Sequence, residues 1–251
     1  MSKNDIDREW IRKIAKNIRG QLSSIYGIEK FDNPFEIISK LENYIIIRFS
    51  NDNKIQGFTT KKNGFICIYI NSNDFLGRQH YSCWHEFFHS IDDRNKVNEG
   101  SFEVSIKGDN DLCEREAEYF ASCMLLDKEA LEDYIIQKWG SESNLSELDL
   151  IDIQYEFGVS YQALKNKLHE IYDNRRFYTY TINSKENREK YLDAIKNKGY
   201  STNLVEKTND FCIPISFKND LLNCYKNKQI TFEKLEKTVE FLDEKEVEFK
   251  W

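Results

Sequence analysis

The segment His85-Glu86-Phe87-Phe88-His89 lies in a stretch, Gln79 through Asn98, with neither glycine nor proline, so a continuous helix can run through it. Residues four apart on a helix share one face a turn apart, so both imidazoles can point at one metal ion. Glu86, one step round from His85, can hold its carboxylate beside a water on that ion rather than on the ion itself. Two neutral imidazoles and a carboxylate suit Zn2+ and leave a fourth position for a water whose pKa falls toward about 7. That water is the expected nucleophile. Glu86 would accept its proton and pass it to the leaving amine, while the metal polarises the scissile carbonyl. The spacing therefore predicts zinc-dependent peptide hydrolysis with His85 and His89 as ligands and Glu86 as base, and it demands a third ligand.

The flanking sequence says where such a helix would sit. Ile6, Trp10, Ile14, Ile18, Leu22 and Ile25 recur at three- and four-residue intervals and line one face of a helix that Gly27 ends. Asn33-Pro34 supplies a cap and a first-turn proline for a second helix over Phe35 to Leu41. Tyr44 to Phe49, Gly57 to Thr60 and Phe65 to Asn71 are largely β-branched or aromatic, and Lys62-Asn63-Gly64 is a hairpin signal, so a small antiparallel sheet is expected. Val97 to Asp111 is expected as a loop. Helices follow over Asp111 to Leu126 and from the cap Asp127 to about Trp139, then a helix hairpin near 146–172 that turns at Gly158-Val159-Ser160. Beyond Asn174 the sequence predicts a strand-like run at Arg175 to Ile182, a polar helix near Asn187 to Asn197, strand-like pieces around Leu204 and Phe211, and charged helices from Phe217 to about Glu244.

The third ligand is sought downstream, in Cys113-Glu114-Arg115-Glu116-Ala117-Glu118-Tyr119-Phe120-Ala121-Ser122-Cys123-Met124-Leu125-Leu126. With the first motif, this segment resembles the ImmA/IrrE family of bacterial and phage metallopeptidases, in which a second helix reads approximately E-x-E-A-N-x-F-A-x-x-L-L-M-P. Arg78 and Tyr81, shortly before the motif, also resemble the family. The likeness runs from about Asp5 to Tyr172. It departs most clearly at Phe88, where the family has glycine, at Glu118, where it has asparagine, and at Asp127, where it has proline. The resemblance implies that the third zinc ligand is Glu116, the glutamate directly before the alanine. Helix geometry leaves the choice open. At 100° per residue Glu116 lies on one flank of the apolar face, with Glu114 and Glu118 on the other. The resemblance also implies a site-specific endopeptidase whose partner is a helix-turn-helix transcriptional repressor, cleaved to derepress a mobile-element, phage-related or stress-response programme. A regulatory DNA-binding protein with a structural zinc, or a metalloprotease of toxin-antitoxin control or phage defence, are the rival readings.

Other residues invite weaker readings. His80 lies about 140° round the helix from His85 and suits packing better than the metal, and nothing brings His169 to the site. Cys83 and Cys113 flank the motifs and are read as small buried hydrophobes, and Tyr81 and Tyr119 are possible oxyanion donors. Gln162, Lys165 and Asn166 would contact DNA if the hairpin were a DNA-reading unit. A net charge of −7 argues against nucleic acid as the main partner. Six cysteines without CxxC pairs read as free thiols, mostly buried. No apolar run approaches the roughly 20 residues that cross a bilayer, and the charged N-terminus lacks the features of a secretory signal, so a cytoplasmic location is expected.

With 251 residues, 40% of them hydrophobic, the chain can carry a domain of about 170 residues and a small appendage. The expected fold is α+β: a mainly helical, zincin-like domain over residues 1–173 with its small sheet, and a small α/β segment over residues 174–251.

Overall fold

In the computed structural model, which describes residues 6–52, 55–92, 102–106 and 112–251, the first helix, α1 (Arg8–Tyr26), starts where the Asp7 carboxylate accepts the Trp10 amide. It stops at Gly27, whose φ of 66° is a left-handed conformation that glycine adopts without steric cost. Asn33 caps the short α2 (Pro34–Ile38), with Pro34 in the first turn as its spacing predicts.

The chain then enters a sheet of six strands in the order β4-β2-β3-β1-β5-β6, made of β1 (Tyr44–Phe49), β2 (Ile55–Lys62), β3 (Phe65–Asn71), β4 (Phe102–Ile106), β5 (Cys212–Pro214) and β6 (Glu248–Lys250). Strands β2 and β3 form the expected hairpin, with Asn63 at φ 52° and Gly64 at φ 81° in its turn. The sheet is mixed, however, where a purely antiparallel one was expected. β3 lies between β2 and β1 and runs parallel to β1, with Ile46 opposite Ile68. Ile68, Tyr69, Ile70 and Asn71 are buried on consecutive positions, so this end of β3 is covered on both faces, as its place between two other strands requires. Strand β4 occupies part of the span expected as a loop, and the rest of that span, 97–101 and 107–111, lies outside the described residues.

One face of the sheet is covered by α3 (Leu76–Ile91), and α4 (Leu112–Leu125) packs beside α3 and α1. After these come α5 (Lys128–Trp139), capped by Asp127, and the hairpin α6 (Asp149–Glu156) with α7 (Tyr161–Tyr172). At the hairpin turn Gly158 sits at φ 62°, and a Cβ there would lie 2.5 Å from the Asp32 carbonyl oxygen. Its own carbonyl accepts His80 Nδ1 at 2.8 Å, so the hairpin is tied to α3. Burial pushes the His80 imidazole down to about 4, which keeps it neutral at pH 7 and in the packing role expected of it.

The residues after Asn174 continue the same body. The strand-like run at 175–182 folds instead into the helical turn α8 (Arg176–Thr179), which buries Phe177 in the core. Helix α9 (Arg188–Asn197), the strands β5 and β6, and the hairpin α10 (Phe217–Lys226) with α11 (Phe232–Glu244) complete the chain. Leu204 lies in a short 3-10 turn rather than a strand. Phe177, Tyr191, Ile195, Leu204 and Val205 belong to the same apolar cluster as Ile11, Ile68 and Trp84, so residues 1–173 and 174–251 share one core and one sheet.

A buried ion pair locks the two parts together. The Arg48 guanidinium on β1, 4% exposed, donates to both Asp210 oxygens at 2.8 and 3.0 Å and, through Nε, to Gln79 Oε1 on α3 at 2.9 Å. Burial disfavours the Asp210 anion, but the Arg48 charge, hydrogen bonds from Thr208 and Cys212 and the Lys250 charge together outweigh it and hold the carboxyl below its usual range. Its contribution is therefore present above the usual carboxylate pKa and is lost as pH falls through the depressed value. Asp210→Ala, which strands the arginine, is expected to cost about 3 kcal/mol at pH 7, read as a lower unfolding free energy in urea. An unfolding curve that overlays the parent's would rule out this lock.

Candidate metal centre

Helix α3 is buried almost all round from Gln79 to His89, because the sheet lies on one side and other helices on the rest. One stripe of it, Trp84, Phe87 and Phe88, fills the core. Phe88 packs against Phe120 of α4 with the rings tilted by 41° and 5.1 Å between centroids, and Ala117 and Ala121, both fully buried, leave the two helices room to approach. Phe88 thus fills space where the resembled family has glycine. Asp127 caps α5 through the Ala130 amide, whereas nothing in the structure explains the Glu118 side chain, since it is the backbone carbonyl there that accepts the Tyr81 hydroxyl at 2.5 Å.

On the remaining stripe, His85 and His89 point their Nε2 atoms at one spot, 3.1 Å apart. The carboxylate of Glu114 on α4 completes the group, with one oxygen 3.1 Å from His85 Nε2 and the other 3.1 Å from His89 Nε2. Among the described residues these three ligand atoms form the buried cluster that could hold a cation. A tetrahedral centre with zinc-like bonds of 2.0–2.1 Å separates its ligands by about 3.3 Å, so the donor set fits. The second acidic grouping, Asp210, Cys212 and Glu248, has its carboxylates committed to Arg48 and to Lys250.

Glu116, the ligand implied by resemblance, is buried on α4 but is not a member of the cluster. Two residues on a helix are 200° apart, so with Glu114 turned to the imidazoles Glu116 faces a different neighbour. Glu118 does not join them either. The contact that decides between the three is the rotational setting of α4 against α3, which neither helix encodes alone.

Behind His89, Cys113 Sγ lies 3.7 Å from Nδ1 and 3.8 Å from an Asp92 oxygen. The thiol therefore backs the imidazole rather than acting as mere apolar filling, and a hydrogen-bond partner on the distal nitrogen is what fixes a ligating ring. Burial disfavours an imidazolium at His89, but the contacts to Cys113 and Glu114 and the charge of Glu86 outweigh it and raise its pKa. For Glu114, burial is likewise outweighed, by hydrogen bonds from His85 and His89, and the carboxyl is held low.

Glu86 is 1% exposed and turned to the sheet, where Thr59 Oγ lies 3.0 Å from its Oε2. Gly57 and Thr59 escaped sequence reasoning, although an isolated glycine inside a strand pattern is itself a signal of close approach. Cys83 is fully buried in the core. The hydroxyls of Tyr81 and Tyr119 are engaged by the Glu118 carbonyl and the Glu170 carboxylate, so neither of these bonds aims a donor at the cluster.

A helix carrying two convergent imidazoles and a buried glutamate, joined by a carboxylate from the next helix, is the arrangement of a metallopeptidase. A sequence model of the IrrE N-terminal-like domain matches residues 40–169, more than half of the chain. The chain belongs to this family of metallopeptidases. Curated proteins gave no match.

Two outcomes follow. Glu114→Ala is expected to lose the metal while Glu116→Gln retains it, as elemental analysis of the purified proteins would read; the reverse pattern would reassign the ligand. Because His89 is raised and a metal must displace its proton, metal uptake near pH 7 should release protons, and affinity should climb about tenfold per pH unit for each proton displaced. Chelator competition between pH 6 and 8 tests this, and a flat profile would contradict it.

Proposed function

We propose that this metallopeptidase is a zinc-dependent endopeptidase that cleaves a helix-turn-helix transcriptional repressor and so releases the programme the repressor silences. The observation that carries the chemistry is the convergence of His85, His89 and Glu114, with the Glu86 carboxylate buried on the same helix. Zinc, when bound, supplies a Lewis acid that polarises the scissile carbonyl and acidifies water. His85, His89 and Glu114 would hold it, with Cys113 backing His89. Glu86 accepts the proton of the attacking water and returns it to the departing amine, so that the proton count closes over one hydrolysis.

The substrate class comes from the resemblance. A cleft of about 1340 Å³ between α1, α3, α4 and α7, lined by Tyr81 and Glu118 among others, does not take in His85, Glu86, His89 or Glu114. Of the three residues in the DNA-contact reading of α7, Lys165 is buried and donates to the Tyr180 carbonyl, whereas Gln162 and Asn166 are exposed. No helix among the described residues is long and apolar enough to cross a membrane.

Glu86→Gln should keep its metal and lose about 10²- to 10⁴-fold in cleavage rate. The assay is co-expression with candidate repressors, with fragments read by mass spectrometry and metal by elemental analysis. Fragment yields from Glu86→Gln equal to the parent's would sink the mechanism, and intact repressors with the metal-loaded parent would sink the substrate class.

A further inference from the structure

We propose that Gly57 and Thr59 of β2 are positioning residues for Glu86, so that one strand of the sheet sets the direction in which the base presents its carboxylate. This rests on the reading of Glu86 as the base. Thr59 is fully buried, and its Oγ lies 2.9 Å from the Glu86 backbone carbonyl and 3.0 Å from Glu86 Oε2. The one hydroxyl proton is within reach of both oxygens, and the ionised carboxylate is the stronger acceptor. Donated there, it anchors one carboxylate oxygen to a strand that is itself held on both sides, with Thr59 opposite Ile68 on β3 and Glu103 on β4.

Gly57 is two residues earlier and therefore on the same face of β2. A Cβ there would lie 3.0 Å from Glu86 Cγ, 3.0 Å from Glu86 Oε1 and 3.0 Å from the Tyr69 carbonyl oxygen. Glycine weakens a strand interior, and this one falls where the register of β2 against β4 shifts. The bare Cα is the seat on which the carboxylate rests, and Thr59 is the hook that stops it turning. Neither residue belongs to the metal cluster, so both act on the base without building the metal site.

Acetohydroxamic acid provides a readout separate from peptide cleavage, because it chelates a metal as its anion and its proton passes to a neighbouring base. Its affinity for the full-length, zinc-loaded chain would be measured by calorimetry, with the metal content of each variant checked. Glu86→Gln is expected to bind it weakly. Thr59→Val should weaken binding about tenfold, the worth of a hydrogen bond to a charged group, with zinc retained, and Thr59→Ser should restore it. Gly57→Ala should weaken it as well, with the Thr59 hydroxyl intact. Parent-like binding by Thr59→Val beside a weak Glu86→Gln would overturn this proposal alone, whereas parent-like binding by Glu86→Gln would remove the base reading beneath it. Loss of zinc from Thr59→Val, or a Thr59→Ser variant no better than valine, would place Thr59 in the scaffold and also overturn it.

Discussion

The contact between α3 and α4 is the constraint on which the site depends. A helix with two histidines four residues apart supplies two ligands, and no residue of the same helix can close the group from outside its own face. Phe88 on Phe120, with Ala117 and Ala121 beside them, sets the spacing and rotation that bring Glu114 within 3.1 Å of both imidazoles. The adjacent flank of α3 meets the sheet through Glu86 and Thr59. The histidine pair and Glu86 thus meet two different neighbours of one helix, α4 and β2.

The sheet and the C-terminal segment serve the same helix. Arg48 of β1 joins Gln79, in the second turn of α3, to Asp210 in the segment leading into β5, and His80 joins α3 to the hairpin turn at Gly158. Residues 174–251 are in this sense a brace rather than an appendage. They extend the sheet beyond β1 and add Phe177, Tyr191 and Ile195 to the core beneath the catalytic helices.

Local signals were legible where local physics decides. Asn33 and Asp127 cap the helices they precede, and Gly27 and Gly64 take the left-handed backbone their positions require, but the period read in α1 is offset from its core face: Leu22 is buried together with Ile11 and Ala15, while Ile25 is 69% exposed. What misled were segments whose state depends on a neighbour distant in sequence. The aromatic run at 175–182 has strand composition yet forms a helical turn with Phe177 in the core, β4 forms within an expected loop by pairing with β2, and β3 pairs in parallel with β1 as well as antiparallel with β2.

The sequence by itself determined the chemistry: the spacing of His85, Glu86 and His89 on an uninterrupted helix allows few other uses, and the following segment marks the family. The tertiary structure alone decided which of three nearby glutamates meets the histidines, and that a glycine and a threonine of β2 lie against Glu86. Periodicity within a helix gives angles relative to that helix only. The angle between two helices, and between a helix and a sheet, is set by side chains that interlock across the core.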